Sequence, residues 1–561
     1  MSTQNQYARE DIGSHNSFFS TSRTTLETAF DGNNVKKISD LKEAYDLAAA
    51  SPGTIITDMP IYEPEKIGLN PDAKVLLFND GETTGRFAAG RRILGEKGVN
   101  EREYAAKLRE AVYHTRYRTL YHAQVCIGLD KDFIVRANLL IPEGHENILY
   151  NWMLNFQYFN DEYQKMFEQS KALNETDIII LSDPDWTHSQ HPNGLSFFDS
   201  EHNCAAILGM RYFGEHKKGT LTLAWGIANR NGYVSCHGGL KKYFLNNDEQ
   251  YVMGVFGLSG SGKSTITHAK HDHKYDITII HDDAYIISTE NGSSVALEPS
   301  YFDKTQDYPL TEPANKYLIT VQNCGACLDE NGKCVLVTED IRNGNGRAIK
   351  SKLWADNRVD KLNEPINSVV WIMKDPVLPP VVKVNNATLA AVMGAALATK
   401  RTSAEKLLKD VDENALVMEP YANPFRTYPL KEDYDKFKIL FEQRNVDCYI
   451  LNTGHFMDKK IPKELTLGII EQIVEKKALF STWGRFSDMQ ILNIEGFVPD
   501  MGDQEYVMSL EKSMKERIQF LYSRRGMNGG RDVLPPETLD VLVKALNEIE
   551  PFIRTNMKQA I

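Results

Sequence analysis

Residues 257–265 read Gly257-Leu258-Ser259-Gly260-Ser261-Gly262-Lys263-Ser264-Thr265, filling every fixed position of GxxxxGK[ST]. The apolar run Tyr251-Val252-Met253-Gly254-Val255-Phe256 precedes it, and Ile279-Ile280-His281-Asp282-Asp283 follows after a short spacer. Strand, loop and helix is the context in which such a loop cradles phosphate. Gly257, Gly260 and Gly262 let the backbone turn and aim N–H groups at phosphate oxygens, Lys263 adds a point charge, and the Ser264 hydroxyl can ligate Mg²⁺. The alternative is a glycine-rich turn with no ligand. This stretch predicts an α/β nucleotide-binding core, and for a chain of 561 residues the fold expected is two-lobed α/β, a C-terminal P-loop nucleotide-binding domain following an N-terminal α/β domain, with the active site in the cleft.

Composition narrows the partners. At 561 residues the chain exceeds one ordinary core, and the formal charge of −12 opposes nucleic-acid binding, which needs a basic face. The most apolar stretch, residues 389–399, falls short of the ~18 residues that span a bilayer, so no membrane partner is expected. Residues 1–6 lack the basic and apolar segments of a secretory signal, which predicts a cytoplasmic address. Seven cysteines in so long a chain read as reduced thiols. Cys324, Cys327 and Cys334 are spaced as part of a zinc site but lack a fourth ligand, so a turn beside a strand is the alternative.

Working outward, residues 35–50 and 101–126 show helical periodicity, while 133–141, 177–182 and 219–225 read as strands. Domains of 1–244 and 245–561 are expected. In the second, a strand at 276–280 delivers Asp282 and Asp283 to its carboxyl end, where open α/β sheets hold ligands. Residues 386–423 are either a lid over the ligand or a surface helix and loop. Helices at 433–444 and 464–477 flank a strand at 447–452.

Three further clusters accompany the loop. Thr83-Thr84-Gly85-Arg86 follows a strand at 74–79, Tyr212-Phe213-Gly214-Glu215-His216-Lys217-Lys218 follows 205–211, and Ser235-Cys236-His237 lies just upstream of the loop. In order and spacing this series, over most of residues 75–470, resembles the ATP-dependent phosphoenolpyruvate carboxykinase family.

The resemblance implies conversion of oxaloacetate and ATP to phosphoenolpyruvate, ADP and CO₂, a gluconeogenic or anaplerotic reaction, with Mn²⁺ and Mg²⁺ as cofactors and a monomer or small homo-oligomer as the assembly. It implies that Lys218, His237 and Asp283 hold the transition metal, with Asp282 behind them and Ser264 on the nucleotide-bound Mg²⁺. Arg86 would bind the substrate carboxylate, Tyr212 would sit near CO₂, Lys263 would hold phosphate, and Arg347 would bridge the transferring phosphoryl group. Residues 257–265, Glu298, Arg347 and Lys460 would contact the nucleotide. A surface ammonium for Lys218, a core histidine for His237 and a solvated arginine for Arg347 are the ordinary alternatives.

Departures from the family pattern leave substrate and base open. Phe87-Ala88-Ala89-Gly90 replaces Ser-Pro-Lys-Asp after Arg86, a glycine-rich element is replaced around Glu298, and Lys460 stands where the family has a nucleotide-contacting arginine. A divergent kinase acting on another small carboxylic acid or phosphoryl donor, or a non-catalytic ATP-binding paralogue, are the competing readings.

Overall fold

In the computed structural model the described residues are 2–13, 15–81, 85–258, 260–305, 308–309, 311–339, 346–400, 415–526 and 530–559. Thr83, Thr84, Ser259, residues 343–345 and residues 401–414 of the expected lid lie outside them. The fold is mixed α/β, with several sheets and two compact units. One unit comprises the chain up to Ile227 with Val295–Asp360; the other comprises Ala228–Ser294 and the described chain from Lys361 onward.

The first unit holds an eight-stranded sheet in the order Val35–Ile38, Leu120–Asp130, Phe133–Pro142, Ile178–Asp183, Cys204–Leu208, Leu195–Asp199, Arg91–Ile93, with Gln157–Tyr158 on Leu120–Asp130. Leu26, Leu108, Phe197 and Leu208, all fully buried, belong to the core beneath it. A five-stranded sheet runs Tyr301–Lys304, Arg347–Lys350, Leu318–Gln322, Lys74–Phe78, Ile55–Pro60. Its register sets Gln322 opposite Phe78 on one side and Arg347 on the other, so the three side chains share a face.

Three sequence expectations fail here for identifiable reasons. Residues 219–225 lie inside the helix Phe213–Arg230, which is buried on nearly every side. An enclosed helix has no polar stripe, and Thr220-Leu221-Thr222-Leu223 then alternates as a strand would. The expected helix at 35–50 is the strand Val35–Ile38 followed by the helix Leu41–Ala50, separated by Asp40, whose carboxylate accepts from Glu43 N at 2.9 Å. The helix expected over 101–126 ends at His114, and Leu120–Asp130 continues as a strand.

The second unit is built on a mixed sheet that includes, in order, Ala284–Ser288, Tyr233–Phe244, Gln250–Phe256, Ser368–Met373, Asp447–Asn452, Val381–Val384, Met489–Leu492 and Phe480–Thr482. Gln250–Phe256, Ser368–Met373 and Asp447–Asn452 are parallel, so their carboxyl ends point one way. The expected strand at 447–452 is Asp447–Asn452, and the helices expected around it are Leu430–Gln443 and Lys463–Val474. Val255, Ile266, Val370, Leu451 and Ile470 share one core. Among the described residues no helix is long and apolar enough to cross a membrane. All seven cysteines are free, and Cys324 and the hairpin Gly325–Leu328/Cys334–Val337 hold the three that are closely spaced.

Candidate active site

The phosphate loop leaves the strand Gln250–Phe256 at its carboxyl end and enters the helix Lys263–His268 through Gly262, whose φ of +100° excludes side-chain-bearing residues in practice. Neighbouring strand ends brace it. Lys374, after Ser368–Met373, donates from Nζ to Gly260 O at 2.9 Å, and Thr453, after Asp447–Asn452, donates from Oγ1 to Ser261 O at 2.8 Å. Burial lowers the Lys374 pKa, and the Lys400 charge adds to this. Ser264 and Thr265 are exposed, with their hydroxyls open to a ligand.

Asp283 ties this loop to the neighbouring strand. Lys263 Nζ lies 3.3 Å from Asp283 Oδ1, and His237 Nε2 lies 3.1 Å from the same oxygen. His237 is opposite Ala284 in the ladder between Tyr233–Phe244 and Ala284–Ser288, which places it beside Asp283. Its Nδ1 is 2.5 Å from Ala422 O, an acceptor only, so Nδ1 carries a proton and Nε2 is the ring nitrogen that faces the carboxylate. His281 Nδ1 accepts from Asp283 N at 3.1 Å and Ala284 N at 3.3 Å, fixing the turn. Asp282 is buried; burial alone would raise its pKa, but His268 at 3.5 Å, then His281 and Lys263, outweigh it and hold the carboxylate well below its ordinary range.

An imidazole nitrogen and a carboxylate oxygen 3.1 Å apart are a donor set that fits a divalent cation such as Mn²⁺ once Nε2 has given up any proton. Among the described residues no three His, Cys, Asp or Glu side chains gather as a metal site. Lys218 is on the helix Phe213–Arg230, its Nζ 5.9 Å from the centre of the Trp225 ring.

In the first unit, Arg86 and Tyr212 are buried, and Glu215 Oε1 accepts from Phe87 N at 2.5 Å. Burial raises the Glu215 pKa against the pull of Phe87 N–H, Arg86 and Arg91. Tyr212 is likewise raised by burial and partly offset by Arg347. Its ring folds over Gly214, where any Cβ would collide with it. Arg347 Nη1 donates to Gly346 O at 3.0 Å. Asp80, passed over in the sequence, accepts from Asn323 Nδ2 at 3.4 Å, and burial pushes its pKa up to about 8 against Phe213 N–H, Asn323 and Arg347.

Glu298 is fully enclosed in that unit, taken by Lys217 at 3.0 Å and Asn155 at 2.6 Å. Lys460 is exposed on the hairpin His455–Phe456/Lys459–Lys460. Arg86, Tyr212, Lys218, Glu298 and Arg347 thus belong to the first unit, and His237, the phosphate loop, Asp282, Asp283 and Lys460 to the second. Lys374 and Thr453, which brace the loop, had no detectable sequence signal, and Ala422 acts through its backbone.

The family model described as phosphoenolpyruvate carboxykinase matches residues 68–496, about three quarters of the chain. The chain belongs to the ATP-dependent phosphoenolpyruvate carboxykinase family. The matched range encloses every residue from Arg86 to Lys460 considered above. Similar curated proteins are a phosphoenolpyruvate carboxykinase (ATP) of Aeropyrum pernix, 26% identical over 341 residues, covering 57% of this chain and 67% of that one, and a phosphoenolpyruvate carboxykinase (ATP) of Dictyostelium discoideum, 23% identical over 310 residues, covering 49% and 52%.

Proposed function

We propose that this family member is a metal-dependent ATP:oxaloacetate carboxy-lyase that forms phosphoenolpyruvate, ADP and CO₂. The observation that carries the reading is the sharing of Asp283 Oδ1 between Lys263 of the phosphate loop and His237. One carboxylate links a phosphate-binding cation to an imidazole poised for a metal, which is the arrangement phosphoryl transfer to an enolate requires.

In the proposed reaction the C3–C4 bond of oxaloacetate breaks, C4 leaves as CO₂, and the electron pair forms the enolate of pyruvate. The enolate oxygen then bonds to the γ-phosphorus of ATP as the bond to the β,γ-bridging oxygen breaks. Lys263 holds the phosphate oxygens through a point charge, and its 3.3 Å pairing with Asp283 keeps it aimed while ATP is away. Arg86 grips the substrate carboxylate with its planar fork, and Tyr212 lies at the CO₂ end. Arg347 neutralises charge spreading over the phosphoryl oxygens. His237, Asp283 and Lys218 would hold Mn²⁺, and Ser264 would ligate Mg²⁺ beside the nucleotide. These ions supply Lewis-acid stabilisation of negative oxygen when bound. Asp282, fixed as an anion by His268, orients the turn that presents Asp283.

The test is phosphoenolpyruvate release from oxaloacetate with ATP, Mg²⁺ and Mn²⁺, run in parallel with GTP. Activity with ATP, lost in Arg347→Ala by about 10³-fold, is expected. ATP binding without any phosphoenolpyruvate release would sink the reading.

A further inference from the structure

The five-stranded sheet of the first unit carries a row of buried side chains with polar atoms that no described residue satisfies. Gln322 is fully buried, and neither its Oε1 nor its Nε2 has a hydrogen-bond partner among the described residues. The same holds for Arg347 Nη2, Asp80 Oδ1 and Thr320 Oγ1. Their placement follows from register. Arg347 is opposite Gln322, Gln322 is opposite Phe78, and Asp80 continues that face two residues beyond the strand Lys74–Phe78. Thr320 is two residues before Gln322, on the same face, and Phe302, opposite Ile349 on that face, packs edge-on against Phe213 at 5.2 Å and near Tyr212 at 6.4 Å. The amino-terminal turn of the helix Phe213–Arg230, the end that favours negative charge, therefore covers the row.

Buried polar atoms without partners are rare, because each forfeits its hydration and gains nothing back. Several in one row point to a ligand that completes them. We propose that Gln322 and Asp80, beside Arg347, complete the subsite in which Arg86 grips the carboxylate end of the organic acid, making Gln322 and Asp80 determinants of which acid is accepted. The donors suit that ligand. Gln322 offers an amide N–H, Arg347 a guanidinium N–H, and Asp80 in its acid form an O–H, all toward acceptor-only oxygens.

The inference rests on the functional reading above, and its test does not depend on turnover. Oxalate, a planar dicarboxylate of the size of an enolpyruvate fragment, is titrated calorimetrically into the full chain with Mn²⁺ present, beside separate titrations with ATP and inorganic phosphate. Gln322→Leu is expected to weaken oxalate at least tenfold and leave ATP within twofold. It should also raise Tm by about 1–3 °C, since an apolar group replaces a polar one lacking a partner. Gln322→Glu, of the same size, should weaken oxalate more than Gln322→Leu, and Asp80→Asn less. A structural role for Gln322 predicts the reverse, a lower Tm with oxalate affinity unchanged, and would overturn the inference. So would no oxalate binding by the wild type, or a larger effect of Gln322→Leu on phosphate than on oxalate. If oxalate binding and its dependence on Gln322 hold while the wild type releases no phosphoenolpyruvate, the inference stands and the functional reading falls.

Discussion

His237 Nε2 faces Asp283 Oδ1 at 3.1 Å, with the other ring nitrogen committed to Ala422 O. Such an approach is repulsive unless a proton or a cation lies between. A divalent ion binding there must displace any proton on Nε2, so its affinity should fall as pH drops through the imidazole range. Asp283→Asn and His237→Gln are each expected to weaken Mn²⁺ by at least ~10-fold, a loss seen even for groups one shell further out. Electron paramagnetic resonance of free Mn²⁺ reads this directly. Wild-type affinity in both variants would remove the pair from the metal site.

Lys263 shares Asp283 with His237, which makes the phosphate loop sensitive to the same carboxylate. Lys263→Met should weaken ATP by about 10- to 100-fold, the loss of one charge-assisted contact of ~1.5–3 kcal/mol. Oxalate should bind as before. Calorimetric titration of both ligands checks the separation, and an equal loss for both would mean that the substitution collapses the site as a whole.

The phosphate loop was legible because its backbone imposes residues at fixed spacing: Gly262, at φ +100°, can hardly be anything else. His237 and Asp283 were legible through short runs that resemble a family. Their shared geometry was not, since it depends on the pairing of Tyr233–Phe244 with Ala284–Ser288 across some fifty residues of chain. Thr220 to Leu223 misled because a helix enclosed on nearly every side loses the periodicity that identifies helices. Gln322, Arg347 and Asp80 were not legible as a group. Register between separated strands, antiparallel for Gln322 and Arg347 and parallel for Gln322 and Phe78, leaves no local pattern, and a missing hydrogen-bond partner has no sequence signature at all.

Asp80 gives the fold a pH dependence of its own. Its pKa rises from the ordinary 3.8 to about 8, chiefly through burial. Between those values the folded chain keeps a proton that the unfolded chain has released, so this group's contribution is complete below about pH 4 and is lost as pH rises toward 8. The slope is about −1.4 kcal/mol per pH unit within that window. Asp80→Asn abolishes the term. Urea unfolding of the two proteins from pH 5 to 9 should show the variant gaining on the wild type up to about pH 8 and then running parallel. Parallel profiles throughout would mean that Asp80 titrates normally.

Asp375 and Arg517 form a second buried pair, at 2.8 Å with both side chains almost fully enclosed, and Ser513 Oγ donates to the same carboxylate at 2.7 Å. The pair fastens the helix Gln504–Ser523 to the carboxyl end of Ser368–Met373. Removing one partner leaves the other charged and dry, so Asp375→Leu or Arg517→Met should each cost about 3–5 kcal/mol, whereas the double variant should recover much of that. The consequence reaches the nucleotide, because the residue before Asp375 is Lys374, which braces Gly260 O. Each single variant should therefore also weaken ATP by several-fold, and the double variant should restore both stability and affinity together. Recovery of stability without recovery of ATP affinity would show that the carboxylate at 375, rather than the packing it supports, is what sets the loop.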